Sequence, residues 1–355
     1  STPKPSSAAS DVYKRQIKRS LYSNISKHIG PNTILSSNTS TLPRSELVSE
    51  LPNNIASRFL ITHFFNPPRY LPLLEVVTAP EVDEAVVERF CTFADLNLGK
   101  RVTMCNDRPG FIGNRLGVYF IQRAFKATLD HGLSIEQADA MLGRPIGLPK
   151  TAVFALMDLV GIDLIPHVTE SLLSHLPDDD PFHEIAGTGE EIVMSMIEDG
   201  YTGRKGKGGF YRLNREGGKK VKEARDLSNG EYKTANRRAA FPSAKMGKRG
   251  LAPLMDCDDD GARLVTDVLL DSLSYAAHIV PDVSDDIYSI DGAMKVGYNW
   301  KRGPFEMMDS IGASSMVERL KATGRDIPSF LSLAAEKGSF YGIEEGEITR
   351  LSPSG

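Results

Sequence analysis

No stretch of this 355-residue chain stays apolar for the length that a membrane span requires, and no two cysteines are close enough to form a CxxC pair. Cys91, Cys105 and Cys257 stand apart. Their spacing excludes a disulfide framework and a paired-cysteine metal site, and a reducing, cytoplasmic setting is expected. Neither sign of charge dominates: 42 Lys and Arg face 46 Asp and Glu, a net charge of −4. That balance argues against nucleic acid or an anionic membrane as partner. HExxH is missing, and no G-x-G-x-x-G opens a helix after a strand. The Ser-rich start lacks the apolar core of a secretory signal.

What is present reads as an α/β layer followed by helices. Residues 17–28 are expected to form a helix, and 34–37 a short strand that runs into the turn 38–40. Residues 58–65 and 70–77 are β-rich runs around Asn66-Pro67-Pro68, which can continue neither strand nor helix. A helix over 82–98 and a last strand over 101–104 complete the layer. From Pro109 the pattern is helical. Residues 114–131 place Leu116, Tyr119, Phe120, Ala124 and Ala127 on one face and stop at Gly132. Ser134 and Gln137 make a capping box for 134–142. Residues 152–176 read as helix broken at Pro166, 213–250 as a polar linker or strap, and 261–340 as a second helical block. The two blocks share a pattern: Asp139 precedes Met157-Asp158-Leu159-Val160-Gly161, and Asp291 precedes Met308-Asp309-Ser310-Ile311-Gly312. An internal duplication is the natural reading.

Several residues could carry chemistry, each with a plainer alternative. His63 ends one apolar run and Glu75 lies in the next. A carboxylate that orients an imidazole makes a general base. Alternatively, the His caps a turn and the Glu faces solvent. The proline turn lets the second run return along the first, although the register is not legible. Asn38 and Ser40 occupy the turn after a strand, where open α/β sheets bind ligands, or serve the turn itself. Asn114 caps a helix or presents an amide. Asp256-Cys257-Asp258-Asp259-Asp260-Gly261 begins like a calcium loop but has Asp267 at the twelfth position, so an acidic helix start is expected instead. Gly206-Lys207-Gly208-Gly209 lacks phosphate-loop spacing.

Together, Ser37-Asn38-Thr39-Ser40, His63-Phe64-Phe65-Asn66-Pro67, Leu74-Glu75-Val76, Pro109-Gly110-Phe111-Ile112-Gly113-Asn114-Arg115 and Gly208-Gly209-Phe210-Tyr211 resemble the L-3-hydroxyacyl-CoA dehydrogenases of fatty-acid β-oxidation, in family order. The resemblance runs from about residue 17 to 341. It implies a fold in which part of a Rossmann-like α/β domain is followed by duplicated all-α C-terminal domains. The divisions would be 17–107, 108–212, a linker over 213–260 and a second repeat over 261–345, after a non-family leader over 1–16 that is disordered or an artefact. It also implies NAD-dependent oxidation of a 3-hydroxyacyl-CoA thioester. His63 would be the base, held by Glu75, with Ser40 and Asn114 on the substrate. Lys18, Ser40, Asn66 and Lys205 would lie beside the cofactor. A fused or associated enoyl-CoA hydratase and self-association are the protein partners it suggests. The pyrophosphate glycine loop of the family and its ribose-binding acid have no counterpart here, and Tyr13 stands where the family has a Glu. A non-catalytic acyl-CoA-binding or association module is therefore the competing reading.

Overall fold

The computed structural model describes residues 7–215, 218–236 and 238–355. Its first helix, α1 (Ser7–Ser26), starts ten residues before the expected one. Residues 7–16, expected as a disordered or artefactual leader, lie in this helix, where Ala, Lys, Arg and Gln favour helix and Gly and Pro are absent. Residues 1–6 of that leader lie outside the described residues. Arg15 pairs with Glu46 of α2 (Arg44–Val48) at 2.6 Å, which ties this end of α1 to the domain.

Strand β1 (Leu35–Ser37) is followed by α2, α3 (Asn53–Ala56), β2 (Phe59–Phe64), β3 (Leu73–Val77), α4 (Glu84–Leu98) and β4 (Arg101–Cys105). The sheet order is β1-β2-β3-β4. β1 runs parallel to β2, β3 antiparallel to β2, and β4 parallel to β3. Side chains alternate across it. Leu60, Leu74 and Val76 meet the α4 residues Val86 and Ala94 on one face. Phe59, Ile61, Leu73 and Val77 join the main core on the other.

The helical region begins with α5 (Gly113–Asp130), α6 (Ile135–Met141), α7 (Phe154–Val160), α8 (Leu164–Leu173) and α9 (Glu190–Glu198). The capping box at Ser134 and Gln137 forms as expected. The break expected at Pro166 falls instead at Gly161, whose φ of 114° ends α7. Pro166 sits in the first turn of α8, where its missing N–H costs nothing.

The stretch expected as a linker, 213–260, has secondary structure of its own. It carries a three-stranded antiparallel sheet, β5 (Tyr211–Asn214), β6 (Val221–Arg225) and β7 (Tyr232–Thr234), and then α10 (Leu251–Met255). These strands are three to five residues long and polar, so they carry no legible alternation. The second block contains α11 (Asp260–His278), α12 (Ile287–Gly297), α13 (Pro304–Ile311), α14 (Ala313–Ala322) and α15 (Ser329–Lys337), closed by the hairpin β8 (Tyr341–Glu344) and β9 (Glu347–Arg350). Strands thus close both blocks, and neither is purely α. Asp259 caps α11 through Ala262 N at 2.8 Å, and no metal-holding cluster occurs among the described residues. No described helix is long and apolar enough to cross a membrane.

The shared sequence pattern has a hydrogen-bonding counterpart. Asp139 of α6 accepts from the N–H groups of Val153, Phe154 and Ala155 and from the Tyr211 hydroxyl. Asp291 of α12 accepts from Phe305 and Glu306 N–H and from the Tyr341 hydroxyl. Asp158 accepts from Phe210 and Tyr211 N–H, and Asp309 from Phe340 and Tyr341 N–H. Gly209 is dictated by this contact, since a Cβ there would come 1.9 Å from Asp158 Oδ1.

Burial raises both Asp139 and Asp291 to about 7, against the pull of their donors. Between the unfolded value and about 7, the folded chain holds protons that the unfolded chain has released. The stability these groups contribute is therefore full below the unfolded pKa and falls as pH rises through that window. Relative to wild type, the stability deficit of Asp291→Asn should shrink between about pH 4 and pH 7 in urea unfolding. A deficit that grew with pH would reverse this account.

Candidate active site

Strand parity decides where His63 and Glu75 point. His63 shares the face of Phe59 and Ile61, and Glu75 that of Leu73 and Val77, so both side chains face the helices. The turn between β2 and β3 places the two residues directly opposite each other in the antiparallel register. Lys100 holds this turn by donating to the carbonyls of Pro68 and Leu71. His63 Nδ1 lies 2.7 Å from Glu75 Oε2. With the carboxylate as acceptor, Nδ1 is the donor, and in a neutral ring Nε2 then keeps its lone pair. The His63 ring is flanked by Phe65 and Phe111, with centroids at 4.9 and 5.8 Å.

Glu75 is 0% exposed, and its other oxygen is fully engaged. Oε1 accepts from Ile112 N at 3.0 Å and Gly113 N at 2.7 Å, at the start of α5. A helix N-terminus favours a carboxylate through unpaired N–H groups and the helix dipole. The Pro109-Gly110-Phe111 turn aims these donors. Gly110 has φ 75° and Phe111 φ 49°, the latter a strained conformation for a buried aromatic residue beside a candidate site. The Cys105 thiol stands 3.8 Å from Oε1, and its pKa is pushed well up by burial and by the Glu75 charge.

The other candidates are less tightly gathered. Asn38 Oδ1 accepts from Phe64 N at 2.9 Å, which ties the turn after β1 to the end of β2 beside His63. Asn114 Nδ2 donates to the Ser40 carbonyl at 3.4 Å, so these two meet across the domain boundary. Asn66 is exposed at the turn. Lys18 is half-buried on α1, and burial lowers its pKa. Lys205 pairs with Asp163 at 2.7 Å rather than with any of these residues.

Sequence reasoning missed Tyr298, whose hydroxyl donates to the Gly113 carbonyl at 3.0 Å from 185 residues away. No spacing rule links a tyrosine after α12 to a histidine on β2. Two cavities, of about 640 and 570 Å³, lie away from the dyad. The first lies between the blocks beside Tyr119 and Tyr275, and the second beside Arg225.

Residues 12–108 match the sequence profile for the NAD-binding domain of 3-hydroxyacyl-CoA dehydrogenase, and 110–213 match its C-terminal domain. The first match begins inside the stretch expected to be foreign to the family. A Rickettsia felis protein described as a fatty acid oxidation complex trifunctional enzyme is 38% identical over 323 residues, covering 90% of this chain and 44% of that protein. A Bacillus subtilis protein described as a 3-hydroxyacyl-CoA dehydrogenase is 33% identical over 344 residues, covering 95% and 43%. The chain thus spans less than half the length of either relative. The fold matches 3-hydroxybutyryl-CoA dehydrogenase from Escherichia coli K12 at a TM-score of 0.68 and 21% identity, covering 91% of this chain and 79% of that one. With both profiles in family order over more than half its residues, the chain belongs to the 3-hydroxyacyl-CoA dehydrogenase family.

Proposed function

We propose that the protein oxidises (S)-3-hydroxyacyl-CoA to 3-oxoacyl-CoA in fatty-acid β-oxidation, with the His63–Glu75 dyad as general base. The observation that carries this reading is the 2.7 Å contact from His63 Nδ1 to Glu75, which leaves Nε2 able to take a proton. His63 Nε2 removes the proton of the 3-hydroxyl, and Glu75 stabilises the imidazolium that results. Ser40 and Asn114 hold the reacting end of the substrate. NAD, when bound, supplies the acceptor for the hydride that leaves C3.

The residues present fit the nicotinamide end of that cofactor. The 38–40 turn lies at the carboxyl end of a parallel strand, where α/β sheets bind ligands, and Asn66 and half-buried Lys18 contribute polar groups. Lys205 would act from the pair it makes with Asp163. No glycine loop joining a strand to a helix occurs among the described residues, so nothing here cradles the pyrophosphate. The two helical blocks are read as duplicates, on the strength of their matching aspartate–tyrosine brackets. A fused hydratase is proposed, and the trifunctional name of a relative more than twice as long as this match supports it. Self-association carries no structural support and is kept as an expectation.

The test is oxidation of NADH with acetoacetyl-CoA. It uses the 355-residue chain, and the same chain preceded by the segment that comes before the match in the Bacillus subtilis relative. Turnover in the extended protein is the expected result. Acyl-CoA binding without turnover in either form would favour the non-catalytic module, which the lack of a strand-to-helix glycine loop among the described residues supports.

A further inference from the structure

We propose that Tyr298, a residue of the second helical block, is a positioning residue for the His63–Glu75 dyad. The inference rests on reading that dyad as the general base. Tyr298 follows the last turn of α12 and has two arms. Its hydroxyl donates to the Gly113 carbonyl at 3.0 Å, and the N–H of Gly113 is the closer of the two that hold Glu75 Oε1. Its ring stands edge-on to Phe65 with centroids 6.0 Å apart, and Phe65 lies 4.9 Å from the His63 ring. One arm reaches the carboxylate through the first turn of α5, and the other reaches the imidazole through Phe65.

Glycines on both sides of this junction permit the approach. A Cβ on Gly117 would come 1.9 Å from the Tyr298 hydroxyl, one on Gly113 2.3 Å from Phe65, and one on Gly297 2.6 Å from Leu73. Burial, and then the Glu75 charge, hold the Tyr298 phenol well above its ordinary pKa, so it stays protonated and donates. The base is thus supported from a segment that is distant in sequence and in a different block. Docking of that block becomes a condition for a well-aimed imidazole.

Tyr298→Phe removes the hydroxyl and keeps the ring, whereas Tyr298→Ala removes both arms. In the extended protein, Tyr298→Phe should lower kcat about 3–10-fold with little change in either KM, as expected for one lost hydrogen bond acting through geometry. Tyr298→Ala should lose about 30–100-fold. Leu331→Ala, at a fully buried side chain of α15, is the packing control. It should lower thermal stability and leave kcat at 25 °C unchanged. Hydrogen exchange gives a readout that needs no turnover: the Ile112 and Gly113 amides should exchange about tenfold faster in Tyr298→Phe, with α11 unaffected. Wild-type kcat together with wild-type exchange in Tyr298→Phe would overturn the proposal, as would an equal kcat loss in Leu331→Ala. A wild-type protein without turnover would overturn the proposed reaction instead, and the exchange result would still decide the role of Tyr298.

Discussion

Glu75→Gln should lower kcat by about 10³–10⁴ while KM barely moves, and His63→Gln should lose turnover to a comparable or greater degree. The first loss follows from which oxygen does what. Oε1 takes two backbone N–H groups, and Oε2 faces His63 Nδ1. In a glutamine the carbonyl must stay on the two N–H donors, because an NH₂ there would oppose them. The amide nitrogen therefore faces His63 and donates to Nδ1. That moves the ring hydrogen to Nε2, and the atom proposed to accept the substrate proton no longer can. The substitution leaves volume almost unchanged, so lost packing does not account for the loss. Steady-state kinetics of the extended protein check it. A drop confined to KM would remove Glu75 from the dyad, and near-normal kcat in His63→Gln would remove the mechanism.

Arg115→Met should cost about 3–5 kcal/mol in stability, the usual penalty for leaving a buried charge without its partner. Arg115 and Asp180 are both 3% exposed in their side chains. The guanidinium donates through Nη2 to Asp180 and through Nε to the Tyr275 hydroxyl at 2.5 Å. Tyr275 in turn donates to the other Asp180 oxygen at 3.0 Å and stacks on Tyr119 with centroids 3.9 Å apart. These contacts join α5 to α11, so losing them loosens the two blocks together. The penalty belongs mainly to the stranded Asp180. Arg115→Met combined with Asp180→Asn should therefore be clearly more stable than Arg115→Met alone, because the residual charge is gone. Urea unfolding of the two variants distinguishes this from simple loss of packing, which would make the double variant the weaker.

The parts of this picture legible in the sequence were those with local causes. The proline turn forced β2 and β3 together, and the apolar period of α5 and the Ser134 capping box fixed a helix and its start. The direct opposition of His63 and Glu75 depended on register, which one sequence does not carry. The strands of 211–234 were hidden because short, polar strands between glycine and asparagine turns look like linker. Tyr298 and Tyr275 were out of reach for another reason. Each acts on a partner 160 or more residues away, and neither sits in a pattern that names that partner.

The paired aspartate–tyrosine brackets bear on how the chain reaches this fold. The bracket from Asp139 to Tyr211 closes 72 residues, and that from Asp291 to Tyr341 closes 50. The ties between blocks span far more chain. Loop closure grows costlier with length only slowly, but contacts at short separation still form first and fastest. Each block can therefore close as its own cooperative unit before the two meet. The dyad belongs to neither unit alone, since its support reaches it across the seam. On this order of events the proposed base becomes properly aimed only at the last step of assembly, and partly folded chains would lack it.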